Sequence, residues 1–172
     1  MNKLKEHLTN NLAIYLIIIA TIVIFLIIKF VPHEEETKYD TSLFNVVDLK
    51  GANELFKDNI NKVLIIGRED CNACQNFLPT LKYAMIKYSF NVSYIELDNI
   101  NPKNEGYDEF INNIDYTYTL KEKTDKFSTF LGVTPMVIII KNNKMVYGYI
   151  GSMSEETIGA IVTQYGITNN VS

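Results

Sequence analysis

The amino-acid sequence predicts an α/β fold in which helices flank a mixed β-sheet, preceded by one N-terminal transmembrane helix. Three observations support this prediction. A near-unbroken apolar run extends from Leu12 to Ile28. Residues 43–165 then alternate short apolar strand patterns with helical patterns, as sheets covered by helices on both faces do. Finally, Asn142-Asn143 marks a turn between the last two strand patterns, so a hairpin closes the sheet.

The apolar run is long enough for a membrane anchor. Extended to Phe30 and Val31, it reaches the roughly 20 residues that cross a bilayer core. Lys3 and Lys5 precede the run and Glu34–Glu36 follow it, which by the positive-inside rule keeps the N-terminus in the cytoplasm. We therefore predict a cytoplasmic N-terminus at residues 1–10, a transmembrane anchor at 11–31, a linker at 32–42 and an extracytoplasmic domain at 43–172.

A cleaved signal peptide and a buried core helix are the alternatives to an anchor. No A-x-A-like cleavage site and no cysteine directly follow the run, which disfavours a signal peptide and excludes a lipoprotein signal. A helix that is apolar on every face more often spans a membrane than fills a core. We therefore expect a single-pass protein of the cell membrane.

Within the predicted domain, the elements follow from the spacing of apolar residues. The early strand patterns are Leu43–Val47 and Val63–Ile66, with a short helical pattern at Asn53–Ile60 between them. A longer helical pattern covers Phe77–Tyr88, and Pro79 inside it predicts a kink. The later patterns are a strand at Val92–Leu97, a short apolar pattern at Phe110–Ile114, a helix at Leu120–Leu131 that stops at Gly132, strands at Met136–Ile140 and Lys144–Ile150, and a final helix that begins at Ser154.

Charge and cysteine content exclude two classes of function. The net charge is −4 with a pI near 5.2, and the lysines are scattered, whereas nucleic-acid binding requires clustered basic residues. We therefore expect no nucleic-acid partner. The chain has two cysteines, Cys71 and Cys74. A disulfide that closes so short a loop stabilises little, so the pair is not a structural framework.

The segment Cys71-Asn72-Ala73-Cys74 lies where a strand pattern ends and a helix begins. The spacing brings both sulfurs onto one helical turn, close enough to form a disulfide. The unpaired N–H groups and the dipole of the helix N-terminus stabilise a thiolate at Cys71, and the thiolate is the nucleophile in disulfide exchange. Cys74, one turn further, is placed to resolve the mixed disulfide. We therefore predict Cys71 and Cys74 as catalytic residues that need no cofactor.

A zinc half-site and a pair of inert buried cysteines are the alternatives for this motif. Zinc requires about four ligands, and the other candidate ligands, His7 and His33, belong to the predicted cytoplasmic segment and linker. We therefore expect no metal. The strand-to-helix junction argues against inert cysteines, because a helix N-terminus activates a thiol.

These motifs resemble those of the thioredoxin family. Cys71-Asn72-Ala73-Cys74 is similar to the family's active site, and Pro79 is similar to the proline within the helix that follows it. The segment Leu131–Lys144, LGVTPMVIIIKNNK, resembles the cis-proline segment and its hairpin, and Gly151 resembles the glycine after that hairpin. The likeness covers roughly residues 43–165 and implies a thioredoxin-like domain.

A narrower likeness concerns the stretch Ile66–Cys71, which with Phe77 and Pro79 most resembles the thioredoxin-like bacteriocin transport accessory proteins of Gram-positive bacteria. The resemblance implies a thiol–disulfide oxidoreductase that acts on the thiols or disulfides of exported proteins or peptides, with a membrane redox partner as a further expectation. It also implies a cis bond between Thr134 and Pro135, which would offer the Thr134 backbone to a substrate chain as a site for strand addition. A trans proline at the start of a strand is the alternative.

Three features depart from the thioredoxin pattern. The buried Asp six residues before the first cysteine is replaced by Ile65, and the Trp often found just before that cysteine is replaced by Asp70. The segment between Leu97 and Pro135 is longer than in plain thioredoxins, and its residues 98–130 are candidates for shaping substrate choice. The loss of the Asp disfavours thioredoxin-type reductase chemistry.

The residues just before Cys71 leave the direction of electron flow open. Arg68 and the helix N-terminus favour the thiolate and hence a more oxidising pair, whereas Glu69 and Asp70 disfavour it. We expect these three side chains to tune the pKa of Cys71, and Asp70 is also a candidate N-cap. A non-enzymatic role stays open as well, in which the domain is a tethered adaptor or chaperone for peptide (bacteriocin) export. The presence of both cysteines favours a redox function over this adaptor or chaperone role.

Overall fold

The computed structural model describes residues 12–30 and 39–167. The chain divides into two units, and helix α1 (Leu12–Phe30) lies in the first while residues 39–167 lie in the second. The large apolar side chains of α1 between residues 12 and 26 are exposed. Over the two described ranges, the structure contains no helix with the length and apolarity needed to cross a membrane.

Several residues used in the topology prediction lie outside the described ranges. They are Lys3, Lys5, His7, Val31, His33 and Glu34–Glu36. The predicted orientation of the chain therefore stays a prediction.

The second unit is built on a five-stranded sheet and a separate two-stranded hairpin. The strands are β1 (Asn45–Val46), β2 (Lys62–Gly67), β3 (Val92–Glu96), β4 (Thr117–Leu120), β5 (Lys123–Lys126), β6 (Met136–Lys141) and β7 (Lys144–Ile150). The sheet has the order β1-β3-β2-β6-β7, and β4 pairs with β5 in the hairpin. Strands β1, β3 and β2 run parallel to one another, whereas β6 runs antiparallel to both of its neighbours, β2 and β7.

Helices cover both faces of this sheet. Within residues 39–167 they are α2 (Leu49–Glu54), α3 (Asn72–Tyr88), α4 (Tyr107–Asn113) and α5 (Glu155–Gln164), together with short 3₁₀ helices at Leu97–Asn99 and Phe127–Phe130. Helices α3 and α5 contact each other, and α2 contacts α4.

The strands divide their apolar side chains between two cores. Successive strand residues point to opposite faces, so Ile65 of β2 packs with Phe77 of α3 in one core. Its neighbour Leu64 packs with Phe110 of α4 in the other core. Both strand residues are fully buried. The predicted α/β fold, a mixed sheet flanked by helices, is confirmed.

The first helix of this unit was wrongly predicted at Asn53–Ile60. The structure places α2 at Leu49–Glu54, because the Asp48 side chain caps it by accepting a hydrogen bond from the Gly51 backbone N–H at 2.7 Å. An N-cap of this kind satisfies a helical N–H that has no partner inside the helix, so the helix begins directly after it. Ile60, the last residue of the predicted helix, is 65% exposed.

The predicted helix at Leu120–Leu131 is also wrong. The chain there forms the β4–β5 hairpin, with Lys121 in the left-handed region at φ 56°, followed by a 3₁₀ turn. β-branched and aromatic residues such as Thr117 and Tyr118 favour strands over helices. The Tyr118 ring packs edge-on against buried Phe127 with ring centroids 5.2 Å apart, which fixes the hairpin onto the second core.

Candidate active site

The pairing of the strands brings three chain segments together at one end of the strands of the sheet. Strand β2 runs antiparallel to β6 with Ile66 opposite Met136, so the residues after β2 meet those before β6. Cys71 follows β2, and Pro135 directly precedes β6. Strand β3 runs parallel to β2 with Glu96 opposite Gly67, so the C-terminal end of β3 lies beside the C-terminal end of β2.

Cys71 is the N-cap of α3. It has an extended backbone with φ −98° and ψ 107°, and its sulfur accepts a hydrogen bond from the Cys74 backbone N–H at 3.1 Å. The proposal that Asp70 caps this helix is therefore wrong, because the cap lies one residue later. Both cysteines are free thiols in this structure.

The two sulfurs differ in their access to solvent. Cys71 is 9% exposed, whereas Cys74 is fully buried on the inner side of α3. Cys71 is thus the more accessible of the two thiols.

The two thiols also differ in acidity. Burial of Cys71 acts to raise its pKa, but hydrogen bonds from the side chains of Cys74 and Thr134 lower it. Backbone N–H groups of Ala73 and Cys74 lower it further. The pKa of Cys71 therefore lies below its ordinary value, as a thiolate at a helix N-terminus should.

Cys74 shifts in the opposite direction. Burial, followed by the hydrogen bond to the Cys71 side chain, raises the pKa of Cys74 to about 11. At neutral pH Cys71 is the readier thiolate and Cys74 keeps its proton. This difference suits a pair in which one thiolate attacks first and the other thiol reacts later.

The Thr134–Pro135 bond faces the cysteines and is cis, as the resemblance implied. The Cys71 thiol lies 3.4 Å from the Thr134 carbonyl oxygen. The Pro135 carbonyl accepts a hydrogen bond from the Gly151 backbone N–H at 2.8 Å, and Gly151 adopts φ +115° to reach it. Pro135 is buried and Thr134 is half-buried, so Thr134 is the more accessible of the two beside the reactive sulfur.

The three charged residues before Cys71 are arranged as an ion pair and a separate carboxylate. Arg68 Nε lies 3.0 Å from Asp70 Oδ1, and the Asp70 side chain is 80% exposed. Glu69 is exposed, and its backbone carbonyl accepts a hydrogen bond from Gln75 Nε2 at 2.8 Å. Because Arg68 and Asp70 offset each other, Glu69 carries the net charge of this segment. Their influence on the pKa of Cys71 stays a prediction.

A partly buried polar cluster at the end of β3 was not predicted from the sequence. The hydroxyl groups of Tyr39 and Tyr94 are hydrogen-bonded, and the Tyr39 hydroxyl also donates to a Glu96 carboxylate oxygen. Burial is the main cause that raises the pKa of Tyr39, of Tyr94 and of Glu96. The available signal was the two-residue spacing of Tyr94 and Glu96, which puts both on one face of a strand. Tyr39 belongs to the segment predicted as a linker.

The apolar position Ile65 lies next to this cluster. Ile65 is fully buried, and it is paired with Tyr94 on β3 and with Val137 on β6. Strand β2 therefore presents no acid at the position that carries an Asp in thioredoxins. Among the described residues, no group of three or more His, Cys, Asp or Glu side chains is placed to hold a metal ion.

No family model and no curated protein sequence matches the chain, whereas solved structures do match it. One of these structures is a yeast mitochondrial 1-Cys peroxiredoxin, described for its thiol resolving mechanism through the glutathione and thioredoxin systems. The two are 15% identical with a TM-score of 0.47, over 72% of this chain and 96% of that one. A likeness at this level carries no conclusion about activity.

Proposed function

We propose that this protein is a thiol–disulfide oxidoreductase that exchanges disulfides with exported proteins or peptides through Cys71 and Cys74. The observation that supports it best is the pairing of two free thiols of opposite pKa shift at the start of α3. The more acidic sulfur is also the more accessible one, and it adjoins the cis-proline segment. Inert buried cysteines would have no reason to differ in this way.

The exchange would proceed in two steps. The Cys71 thiolate attacks a disulfide sulfur of the substrate, forms a mixed disulfide and releases the other substrate sulfur as a thiolate. The Cys74 sulfur then attacks Cys71, which closes the Cys71–Cys74 disulfide and releases the second substrate thiol. The reverse sequence oxidises a substrate dithiol. The reduction potential of the pair relative to its partner sets the direction.

Substrate binding would use the segment before β6. Thr134 is half-buried beside the Cys71 sulfur, so its backbone is placed to pair with an extended substrate chain. Such pairing would hold the substrate sulfur near Cys71 without demanding a particular sequence. Residues 98–130, which include the β4–β5 hairpin, would then add selectivity among substrates.

The location of the domain is part of the proposal. The apolar run from Leu12 to Ile28 and the charges on its two flanks favour a membrane anchor with the domain outside the cytoplasm. This anchor rests on the amino-acid sequence. An extracytoplasmic site also fits the chemistry, because protein disulfides form and persist there.

Trapping of mixed disulfides tests the proposed function. In the Cys74→Ser variant the second step is blocked, so substrates should accumulate as adducts of Cys71 that a reductant releases. Cys71→Ser is the matched control, and it should trap nothing. Peptide export that continues when both cysteines are replaced by serine, with no adducts in Cys74→Ser, would favour the adaptor or chaperone alternative and overturn the redox proposal.

A further inference from the structure

The β4–β5 hairpin packs onto the last strand of the sheet, close to the candidate active site. Strand β7 stands at one end of the strand order of the sheet. The ring of Phe127, which directly follows the hairpin, lies over Gly148 of β7, where an added Cβ would be only 2.7 Å from Cε2 of that ring. Gly148 thus allows the ring to reach the backbone of β7, and the hairpin is held against this strand.

Tyr118 of β4 makes a polar contact with the end of β7. Its hydroxyl accepts a hydrogen bond from the Ile150 backbone N–H at 3.3 Å. Ile150 is paired with Met136, the first residue of β6. The next residue, Gly151, donates its backbone N–H to the Pro135 carbonyl at 2.8 Å. The Tyr118 hydroxyl therefore holds β7 one residue before the hydrogen bond that fixes Pro135.

The Tyr118 ring contacts the chain that leads into the Thr134–Pro135 segment. The ring packs edge-on against Phe130, with the two centroids 6.0 Å apart. The Phe130 carbonyl accepts a hydrogen bond from the Val133 backbone N–H at 3.0 Å, which closes a turn directly before the segment. Lys123 of β5 also contacts Phe130, with its Nζ 5.5 Å from the ring centroid. One side chain of the hairpin thus contacts the chain on both sides of the Thr134–Pro135 segment.

We propose that Tyr118 is a positioning residue that holds the Thr134–Pro135 segment beside the Cys71 sulfur, so that a substrate chain can pair with the Thr134 backbone. This inference rests on the proposed function and gives the β4–β5 hairpin a role in it. Tyr118 acts through Ile150 on one side of the segment and through Phe130 on the other.

The ring and the hydroxyl of Tyr118 make separate contributions. The ring packs against Phe127 and Phe130 in the second core, so it supports the fold. The hydroxyl binds the backbone of β7. Tyr118→Phe keeps the ring and removes the acceptor of the Ile150 N–H. The end of β7 should then open more often while the core stays packed.

Hydrogen exchange in the full-length chain in detergent tests the contact of the hydroxyl with β7. In Tyr118→Phe the backbone amides of Ile150 and Gly151 should exchange about tenfold faster than in wild type, because the loss of one hydrogen bond lets the strand end open. The amide of Ile138, in the middle of β6, should keep its wild-type exchange rate and so reports that the sheet is intact.

Two disulfide substrates separate the alignment of a substrate chain from the reactivity of Cys71. One is a disulfide between two short extended peptides, whose backbones can pair with Thr134. The other is hydroxyethyl disulfide, which has no peptide backbone. In reduced Tyr118→Phe the second-order rate constant for the peptide disulfide should fall about tenfold, because a displaced segment aligns the substrate sulfur poorly. The rate constant for hydroxyethyl disulfide should stay at the wild-type value, which a hydroxyl that served stability alone would not produce.

Tyr147→Phe is the matched control for both measurements. It removes a hydroxyl from another tyrosine of β7's surroundings, one that lies on β7 itself and packs in the core with Phe77. It should keep both rate constants and the exchange rate of Ile150. In Tyr118→Phe, a wild-type ratio of the two rate constants or unchanged exchange at Ile150 would overturn the positioning role. A wild-type chain that reacts with neither disulfide would overturn the proposed function, whatever the exchange rates show.

Discussion

The backbone N–H of Cys74 donates a hydrogen bond to the Cys71 sulfur at 3.1 Å, so one cysteine of the pair stabilises the thiolate of the other. The same contact makes Cys71 the cap of α3. Ionisation of Cys71 strengthens this cap, because a charged acceptor makes a stronger hydrogen bond than a neutral one. Nucleophile activation and the start of the helix therefore depend on a single geometry.

Alkylation should distinguish the two thiols. Iodoacetamide added to the reduced protein should label Cys71 before Cys74, because Cys71 is both more exposed and more acidic. The labelling rate of Cys71 should rise with pH and reach half of its maximum below the pKa of an ordinary thiol, because the pKa of Cys71 is lowered. In Cys71→Ser, Cys74 should still be labelled slowly at neutral pH, because burial, the largest cause of its raised pKa, is unchanged in that variant. Peptide mass mapping of each site measures both rates, and prior labelling of Cys74 would contradict the assignment.

The placement of the cysteine pair at the start of a helix could be predicted from the sequence because its geometry is local. Cys71 and Cys74 are separated by one helical turn, and the strand before them ends at a fixed point. The Thr134–Pro135 segment was found through a resemblance and through its place directly before an apolar strand. Neither inference required knowledge of how distant segments pack.

The polar cluster of Tyr39, Tyr94 and Glu96 could not be predicted, because it depends on distant residues. Tyr39 and Tyr94 are 55 residues apart, and Tyr39 belongs to a polar, acidic stretch that has the composition of a linker. The hairpin at Thr117–Lys126 was missed for a related reason. Its partly apolar spacing suits a helix as well as a strand, and only packing of Tyr118 on Phe127 decides between them.

The hairpin packing can be tested by unfolding. Phe127 is fully buried in the second core and packs against Tyr118, so Phe127→Ala should lower the free energy of unfolding by about 3–5 kcal/mol. Urea unfolding followed by circular dichroism measures the change. Tyr83→Ala is the control, since Tyr83 is 59% exposed and its loss should leave stability near the wild-type value. A loss for Phe127→Ala as small as that of the control would contradict the packing described for this segment.

Membrane topology is a separate prediction. The lysines before the apolar run and the acidic residues after it should place the domain outside the cell membrane. Protease added to intact spheroplasts should then degrade residues 43–172 while a cytoplasmic marker protein survives. Protection of this range until the membrane is permeabilised would reverse the predicted orientation.

The acidic residues before Cys71 offer a test of charge at the site. Replacement of Glu69 by Gln and Asp70 by Asn should lower the pKa of Cys71. The change removes two negative charges and releases Arg68 from its ion pair with Asp70. A lower pKa stabilises the reduced state, so the pair should become more oxidising by on the order of tens of millivolts. Because Cys71 caps α3, the substitution at Asp70 should leave the start of the helix intact.

Two measurements check this charge effect. Equilibration of wild type and double variant with glutathione gives the reduction potentials, and thiolate absorbance against pH gives the pKa of Cys71. The single variants separate the contributions of Glu69 and Asp70 to the pKa of Cys71. Glu69→Gln removes an exposed charge alone, whereas Asp70→Asn also frees the Arg68 guanidinium, so Asp70→Asn should give the larger shift. A Cys71 pKa that stays constant or rises in the double variant would mean that the two carboxylates do not act on the nucleophile, and the hydrogen bonds from α3 would then account for its acidity alone.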